Sequence, residues 1–403
     1  MIPLMKPYRT EKEIQAVTEV INSGWWTQGA KVKEFELQFA SYVSAKHATA
    51  VSNCTVALQL ALLAVQVKPS EYVLTVSHSF IATANSIRLC GASPLFIEID
   101  SQTMNLSPKC LTQFISERTE KNHQGDLCYR QDQKKIAAIL VVHQIGMPCD
   151  LKSILAIAKE HSLPVIEDAA CAIGSEIEWE CGRFEKIGRP HSDVACFSFH
   201  PRKILSTGEG GMITTSHSHF DRFFKLYRHH GMNLSDLDRH QSTTLAIESY
   251  QILGTNARMT DIQAALGIAQ LESIPLLLEN RKKLKNSYER ELSDLNDLIS
   301  FQKEDAWAKS NWQSLAISLS PKVLATRNQI IEYLLRNQVA SKPGVMNAHE
   351  EKPYQDYHQM HQFSLGNSEC AKSSTILLPL FMGLTEDDIV HICNLLKKVL
   401  TRV

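Results

Sequence analysis

The stretch Ala195–Thr215, ACFSFHPRKILSTGEGGMITT, is the most informative part of the chain. Lys203 lies between the apolar run Val194–Phe199, which predicts a buried strand, and a turn rich in glycine over Gly208–Gly211. A lysine at such a junction is unusual, because burying its charge costs free energy unless the amine is neutralised or used. One common use is a Schiff base with a carbonyl cofactor, which directs the search toward a site for pyridoxal phosphate.

The segments upstream of Lys203 predict an α/β fold. Short apolar runs alternate with segments of helical periodicity, and this order predicts a mostly parallel sheet with helices on both sides. Several runs are continuously apolar, so the sheet should be buried on both faces. The predicted strands are His47–Val51, Tyr72–Val76, Pro94–Ile99, Ile136–Val142, Pro164–Glu167 and Val194–Phe199. The predicted helices are Glu11–Ile21, Val32–Val43, Thr55–Val65, Ile81–Leu89 and Leu151–His161.

The length of 403 residues predicts more than one domain. We expect a large domain over residues 1–265 and a smaller C-terminal α/β domain over residues 266–403. A helical pattern over Thr260–Leu278, with Glu279–Leu292 as its predicted continuation, leads into the smaller domain. Its other predicted elements are Leu315–Ser318, Arg327–Asn337 and Thr385–Leu400, the last capped by Thr385. The polar segment Glu117–Lys135 predicts a solvated surface insertion.

Composition excludes several classes of protein. Hydrophobic residues make up 44%, charged residues 21%, and the net charge of −1 argues against nucleic acid as the main partner. The ten cysteines form no CxxC pair, and most lie in apolar runs, as in reduced cytoplasmic proteins. We find no signal peptide and no apolar run of roughly 20 residues, so we expect a cytoplasmic protein without a membrane span. No Walker A or GxGxxG motif follows a strand, and no histidine pair predicts a metal site.

Pyridoxal phosphate needs an amine, an anion for its ring nitrogen, a surface for its ring and donors for its phosphate. Lys203 is the candidate amine. Asp168 ends the run PVIED, at the end of a parallel strand where α/β proteins bind ligands. A helix-capping role is the alternative for Asp168, and strand alternation points Glu167 to the opposite face.

Candidate phosphate and ring contacts lie near three other predicted elements. Thr55 begins a helix just after a strand, so free N–H groups and the helix dipole would suit a phosphate. Plain capping of that helix by Ser52 or Asn53 is the alternative. Ser198 would add a hydroxyl group, and Phe80 either stacks on the ring or belongs to the core.

These pieces, taken together, resemble the DegT/StrS-type nucleotide-sugar aminotransferases, and the resemblance covers nearly the whole chain. The motifs that carry it are SGWWTQG (Ser23–Gly29), VSNCTVAL (Val51–Leu58), SHSFIATAN (Ser77–Asn85), VIEDAA (Val165–Ala170), FSFHPRKILSTGEGG (Phe197–Gly211), NARMTDIQAALG (Asn256–Gly267) and LPLFMGLTEDD (Leu378–Asp388). Any one motif is modest evidence, whereas the whole set in this order is specific.

The resemblance implies a type I aminotransferase fold and a homodimer with shared active sites. It places Lys203 on the Schiff-base lysine and Asp168 on the partner of the ring nitrogen. The other positions it implies for the cofactor are Phe80 for ring stacking, Cys54, Thr55 and Ser198 near the phosphate, Cys171 near the ring, and Asn256 and Arg258 reaching the phosphate of the neighbouring subunit. For the substrate it implies Trp26 and Thr27, and His349 of the small domain is a further candidate.

Two departures from the family pattern stand out. Cys171 occupies a position where many relatives carry Gln or His that can contact the ring oxygen of the cofactor, and a thiol is a weak donor. The segment Glu117–Lys135 is longer than usual in the family. His200, close to both Ser198 and Lys203, orients the phosphate or the lysine, or else makes a structural hydrogen bond.

The resemblance implies transfer of an amino group from an amino acid, glutamate, to a keto sugar carried by a nucleotide. Lys203 would move a proton and must be neutral to accept it, and we expect burial to favour the neutral amine. One alternative is a pyridoxal phosphate-dependent sugar dehydratase, although some relatives with that activity replace the lysine with histidine. The others are a non-catalytic regulatory relative and a binding protein without the cofactor.

Overall fold

The computed structural model describes residues 1–234, 247–355 and 364–401. The seven strands of its largest sheet are β1 His47–Val51, β2 Tyr72–Val76, β3 Ser93–Ile97, β6 Ile136–Val142, β7 Val165–Asp168, β10 Val194–Ser198 and β11 Gly211–Thr215. They lie in the order β1-β11-β10-β7-β6-β2-β3. Four neighbouring pairs are parallel, and β11 is antiparallel to both of its neighbours. The mostly parallel α/β sheet predicted from the apolar runs is confirmed.

Helices cover this sheet, and every residue of β2 and β6 is buried, as their continuous apolar runs predict. The helices before residue 234 are α1 Glu11–Ser23, α2 Ala30–Val43, α3 Cys54–Ala64, α4 Ala82–Leu89, α5 Pro108–Arg118, α6 Leu151–Glu160 and α7 Ser218–Tyr227, with a 3₁₀ turn at Gln144–Gly146. Helix α3 packs with α4 and α7, and α5 packs with α6.

One edge of the large sheet collects the ends of several strands. The carboxyl ends of β2, β6, β7 and β10 meet there because these strands run in the same direction. Strand β1 runs that way too, and the antiparallel β11 begins at this edge, where Gly211 pairs with both Val51 and Ser198. The loops that follow these strands therefore lie side by side.

A second sheet belongs to a separate apolar core, and its strands are β12 Ile299–Phe301, β14 Leu315–Leu319, β15 Lys342–Pro343 and β16 Thr375–Leu378. These strands are antiparallel and lie in the order β12-β14-β16-β15. The helices of this part are α8 Asp261–Glu291, α9 Arg327–Arg336, α10 Gly366–Ser374 and α11 Glu386–Leu400, with 3₁₀ turns at Ser293–Leu295 and Ala348–Glu350. Predicted capping of α11 is confirmed, because Thr385 and Asp388 form a capping box.

Helix α8 is continuous through Pro275 and packs against α1, α2 and α11. It includes both Thr260–Leu278 and Glu279–Leu292 apart from their end residues, so the predicted continuation of the helical pattern is confirmed. The predicted domain boundary between residues 265 and 266 falls within this helix and stays a prediction. No helix in the described ranges combines the length and the apolar character needed to cross a bilayer.

Two local predictions are wrong. The glycine-rich turn ends before Gly211, which is instead the first residue of strand β11, where a Cβ atom would clash with the backbone of Asn53 and Cys54. The segment Glu117–Lys135 is not simply a solvated insertion: it contains a hairpin of β4 Thr119–Lys121 and β5 Leu127–Tyr129. Tyr129 is 1% exposed and stacks on Phe114, so the few apolar residues of this segment anchor it to the core.

A further small sheet comprises β8 Glu176–Glu180, β9 Arg183–Lys186 and β13 Ala308–Lys309.

Candidate active site

Lys203 lies in the turn that follows β10. The turn is fixed by backbone hydrogen bonds from Lys203 to His200 (2.8 Å) and from Thr207 to Phe199 (2.9 Å). The Lys203 side chain is half-buried, and its Nζ lies 3.0 Å from Cys171 Sγ. Because Cys171 follows β7, this contact joins the loops after two neighbouring strands.

The charge on Lys203 reflects two opposing effects. Burial favours the neutral amine, but the adjacent Cys171, with smaller contributions from Cys54 and Asp168, raises the pKa of Lys203 above its ordinary value. The expected effect of burial is therefore present, but the net shift in the protein without a cofactor favours the charged amine. Desolvation is the largest single effect, and Cys171, Cys54 and Asp168 together outweigh it.

Asp168 is a buried carboxylate at the end of β7. Its Oδ2 accepts a hydrogen bond from Thr83 Oγ1 (2.8 Å), and its Oδ1 accepts one from the N–H of Ala170 (3.2 Å). Burial raises the pKa of Asp168, although these hydrogen bonds and the charge of Lys203 oppose the shift. A positive group next to this carboxylate would stabilise its charged form.

Glu167 points to the other side of the sheet, as strand alternation predicts. Its Oε2 lies 2.8 Å from His143 Nε2, and its Oε1 accepts a hydrogen bond from Ser192. The backbone N–H of Cys149 donates to His143 Nδ1, so the imidazole donates its Nε2 proton to Glu167. This buried pair supports the sheet behind Asp168.

The start of helix α3 lies next to the end of β10. Asn53 caps the helix by accepting a hydrogen bond from the N–H of Val56 (3.0 Å), so capping by Asn53 is observed. The N–H groups of the buried Cys54 and half-buried Thr55 are in the first turn, where no intrahelical acceptor exists. Such a helix start is suited to bind an anion.

Gly211 makes this arrangement possible. A Cβ atom at Gly211 would lie 2.7 Å from the carbonyl carbon and oxygen of Asn53 and 2.9 Å from the Cys54 nitrogen. Because Gly211 pairs with Ser198, the half-buried Ser198 also lies at this edge. The structure therefore brings the helix start, Ser198 and the Lys203 turn to one place.

Phe80 lies in the loop between β2 and α4, and His349 contacts this loop from the C-terminal part of the chain. Phe80 is 69% exposed, so the alternative that it is a core residue is wrong. His349 is buried, and its ring Nδ1 lies 2.6 Å from Ser77 Oγ. The backbone N–H of His349 donates a hydrogen bond to the same oxygen (3.0 Å). His349 thus holds the loop that carries Phe80, and its direct contact with a substrate stays a prediction.

The remaining predicted residues gather around the start of α8. The N–H of Asp261 donates to the carbonyls of both Trp26 and Thr27 (3.2 Å each), and Trp26 is 55% exposed. Asn256 is exposed, and Arg258 Nη1 lies 2.6 Å from His229 Nδ1. Within the described residues no hydrogen bond joins Trp26, Thr27, Asn256 or Arg258 to Lys203 or Asp168.

His200 makes only local contacts in the Lys203 turn. Its N–H donates to Ser198 Oγ (3.4 Å), and its Nδ1 accepts a hydrogen bond from the N–H of Arg202 (3.2 Å). This is the structural hydrogen bond that the sequence analysis considered as the alternative.

Two residues that the sequence analysis missed hold the site together, and we call Asn311 and Gln313 the clamp. Gln313 Oε1 accepts a hydrogen bond from the N–H of Ile204 (3.1 Å), and its Nε2 donates to the carbonyl of Arg202 (2.6 Å). Asn311 Nδ2 donates to the carbonyls of Cys171 (2.7 Å) and Ile173 (2.9 Å). The clamp thus fixes the backbone on both sides of the contact between Lys203 and Cys171. No sequence signal identifies it, because Gln313 is 109 residues from Ile204.

Nearly the whole chain is similar to known proteins. The model of the DegT/DnrJ/EryC1/StrS aminotransferase family matches residues 7–397. The chain is 34% identical over 400 residues to GDP-perosamine synthase of Caulobacter vibrioides, with 99% of this chain and 98% of that protein covered. It is 30% identical over 401 residues to the spore coat polysaccharide biosynthesis protein SpsC of Bacillus subtilis, with 99% and 97% covered.

Among solved structures, the chain is similar to Helicobacter pylori PseC, an aminotransferase involved in the biosynthesis of pseudoaminic acid. The TM-score is 0.86, the sequence identity is 26%, and 99% of each chain is covered. The similarity therefore includes both apolar cores and the sheet edge that carries Lys203.

Proposed function

The chain belongs to the DegT/DnrJ/EryC1/StrS aminotransferase family, whose members depend on pyridoxal phosphate, and we propose that it transfers an amino group from glutamate to a nucleotide-linked keto sugar. The names of two relatives, a GDP-perosamine synthase and a polysaccharide biosynthesis protein, support a nucleotide-linked sugar as the acceptor. The observation that carries the proposal is the half-buried amine of Lys203 at the sheet edge that also holds Asp168 and the start of α3.

The residues present fit pyridoxal phosphate. Asp168 is a buried carboxyl group whose pKa is raised by burial, and the positive charge of a protonated ring nitrogen would stabilise its ionised form. The close approach of β11 to the start of α3, which requires glycine at position 211, lies beside backbone N–H groups that suit a phosphate. We assign the amine to Lys203 and the ring nitrogen to Asp168. Thr55, Ser198 and Cys54 are assigned to the phosphate, and Phe80 and Cys171 to the ring. When bound, the cofactor supplies an aldehyde that takes up amines and a ring that withdraws electrons.

The protein residues have separate tasks in this reaction. Lys203 Nζ accepts the proton from the α-carbon of the donor and so must be neutral at that moment. Cys171 Sγ, 3.0 Å away, holds the amine in place, and the clamp fixes the two backbone segments that carry them. Asp168 holds a proton on the ring nitrogen by its negative charge, while Thr83 orients the carboxylate.

We also propose a homodimer in which Asn256 and Arg258 reach the active site of the neighbouring subunit. These two residues lie near exposed apolar side chains, including Tyr250 and Leu253, and Leu253 is 89% exposed. A second copy of the chain would cover this apolar surface. A cytoplasmic location is proposed because the cysteines are free thiols and six of them are buried, a state that a reducing compartment maintains.

The identity of residue 203 favours transamination over the alternatives. By family resemblance, some relatives that dehydrate sugars carry histidine at this position, whereas this chain has lysine. A non-catalytic relative would have no need to keep the lysine, the buried acid and the helix start together at one edge. A binding protein without the cofactor would hold no chromophore.

The proposal is tested by following the two halves of the reaction. Protein loaded with pyridoxal phosphate should release 2-oxoglutarate from glutamate and then aminate at least one member of a panel of nucleotide-linked keto sugars, detected by mass spectrometry. Lys203→Ala should do neither. A wild-type protein that accepts an amino group from no amino acid would refute the proposed transamination, and sugar dehydration without an amino donor would establish the dehydratase instead.

A further inference from the structure

Lys342 lies on a face of the second sheet that is turned toward the candidate active site. In the sheet register, Leu377 is opposite both Ala316 and Lys342, so these three side chains share one face. Ala316 and Leu377 pack against Ile145, which is in the loop directly after β6. The face of the second sheet that carries Lys342 therefore contacts the edge of the large sheet at which Asp168 and Lys203 lie.

The ammonium group of Lys342 has no carboxylate partner among the residues that the structure describes. It is half-buried, and burial together with the positive charges of Arg202 and Lys203 lowers its pKa. By contrast, the half-buried Lys285 has Glu289 at 2.7 Å. A partly buried cation among other cations costs free energy unless an anion binds there.

We propose that Lys342 binds the α-carboxylate of the amino acid donor. The inference rests on the proposed function, because it requires an amino acid to react beside Lys203. Lys342 lies close enough to Lys203 and Cys171 for its charge to interact with both. An ammonium with three N–H donors is well suited to a carboxylate oxygen.

The position of Lys342 favours the α-carboxylate of the donor over the other two anions that would enter the site, the diphosphate of the nucleotide sugar and the phosphate of the cofactor. The donor must bring its α-carbon to Lys203 Nζ, and the α-carboxylate is one bond from that carbon. The diphosphate of a nucleotide sugar is separated from the reacting carbon by the sugar ring, so it would lie farther away. The phosphate of the cofactor has its own donors at the start of α3 and at Ser198.

The decisive experiment compares Lys342→Ala and Lys342→Arg with the wild type, all loaded with pyridoxal phosphate. Lys322→Ala is the matched control, because Lys322 is an exposed lysine of the same part of the chain. Calorimetry would measure the affinity for 2-methylglutamate, which has the α-carboxylate but no α-hydrogen, so binding is read without turnover. Lys342→Ala should weaken binding by roughly 10- to 100-fold, Lys342→Arg should restore most of the affinity, and Lys322→Ala should not change it.

A second comparison identifies which anion is bound. The wild type should prefer glutamate over glutamate α-amide, which lacks the α-carboxylate charge, and Lys342→Ala should lose that preference. Unchanged affinity in Lys342→Ala, no preference in the wild type, or an effect on the nucleotide sugar alone would each overturn the inference. These outcomes differ from a failure of the proposed function, in which the wild type itself would react with no amino acid.

Discussion

At the scale of single residues, the contact between Lys203 Nζ and Cys171 Sγ determines how easily the amine reacts. The two effects on the amine oppose each other: burial favours the neutral form, whereas the contact with Cys171 stabilises the charged form. The thiol therefore keeps the amine protonated up to a higher pH than burial alone would. An amine attacks an aldehyde only when it is neutral, so this contact should change how the rate of cofactor uptake depends on pH.

We predict that Cys171→Ala lowers the pKa of Lys203 in the cofactor-free protein, because the residual effect of burial favours the neutral amine. The rate at which Lys203 takes up pyridoxal phosphate, trapped with borohydride at each pH, should then rise at a lower pH than in the wild type. Cys90→Ala, which removes a buried thiol elsewhere, is the control. An unchanged midpoint in Cys171→Ala would show that the thiol does not set this pKa.

Gln313 is the second residue whose role is testable by itself. Gln313→Ala leaves the carbonyl of Arg202 and the N–H of Ile204 without their side-chain partner, which frees the Lys203 turn. We expect kcat to fall about 10- to 100-fold with little change in KM, since misplacement of the reacting amine affects the chemical step. Gln113→Ala, an exposed substitution, should have no effect on either constant. A rise in KM alone would contradict a positioning role.

At the scale of elements, the close approach of β11 to the start of α3 forms the candidate phosphate site. The backbone of Asn53 and Cys54 leaves no room for a Cβ atom at Gly211. Backbone atoms cannot move aside as a flexible side chain can, so a larger residue must displace the helix start.

Gly211→Ala should therefore destabilise the fold by about 1–3 kcal/mol and weaken the affinity for pyridoxal phosphate. Urea unfolding of the cofactor-free protein and equilibrium titration with the cofactor measure the two effects separately. Gly366→Ala is a suitable control, because a Cβ atom there meets no neighbour within 4 Å. Cofactor affinity equal to that of the wild type would contradict the assignment of the phosphate to this helix start.

The capping box of α11 gives a prediction for the smaller core. Thr385 Oγ1 accepts a hydrogen bond from the N–H of Asp388 (3.1 Å), and Asp388 Oδ2 accepts one from the N–H of Thr385 (3.0 Å). Thr385→Ala should lower the free energy of unfolding by about 1 kcal/mol, whereas Thr385→Ser should retain most of it. Equal urea midpoints for the alanine variant and the wild type would show that this cap contributes nothing.

At the scale of the whole molecule, the sequence predicted the elements whose apolar pattern is local. Strands β1, β2 and β6 were predicted with the bounds observed, because each is a short, mainly apolar run that is followed by a polar residue. Strand β11 was missed because its first residue is a glycine, and the pattern there indicates a turn rather than a strand. The hairpin at β4 and β5 was missed because Leu127–Tyr129 is the only run of consecutive buried residues in a polar segment.

The residues of the candidate site likewise fall into those that the sequence identified and those that it did not. Lys203 and Asp168 were identifiable, since each stands out at the end of an apolar strand and the family resemblance assigns both a role. The clamp and Lys342 were not identifiable, because their importance depends on a second sheet that packs over the loops of the first. Such contacts join residues more than 100 positions apart, and no spacing in one sequence predicts them.

The measurement that tests the central claim most directly locates the attachment of the cofactor. Protein incubated with pyridoxal phosphate is reduced with borohydride, digested and sequenced by mass spectrometry. We predict a phosphopyridoxyl group on Lys203 in the wild type and none at the active site in Lys203→Ala. A label on another lysine, such as Lys342, or a Lys203→Ala variant that is labelled like the wild type, would contradict the assignment of Lys203 as the catalytic amine.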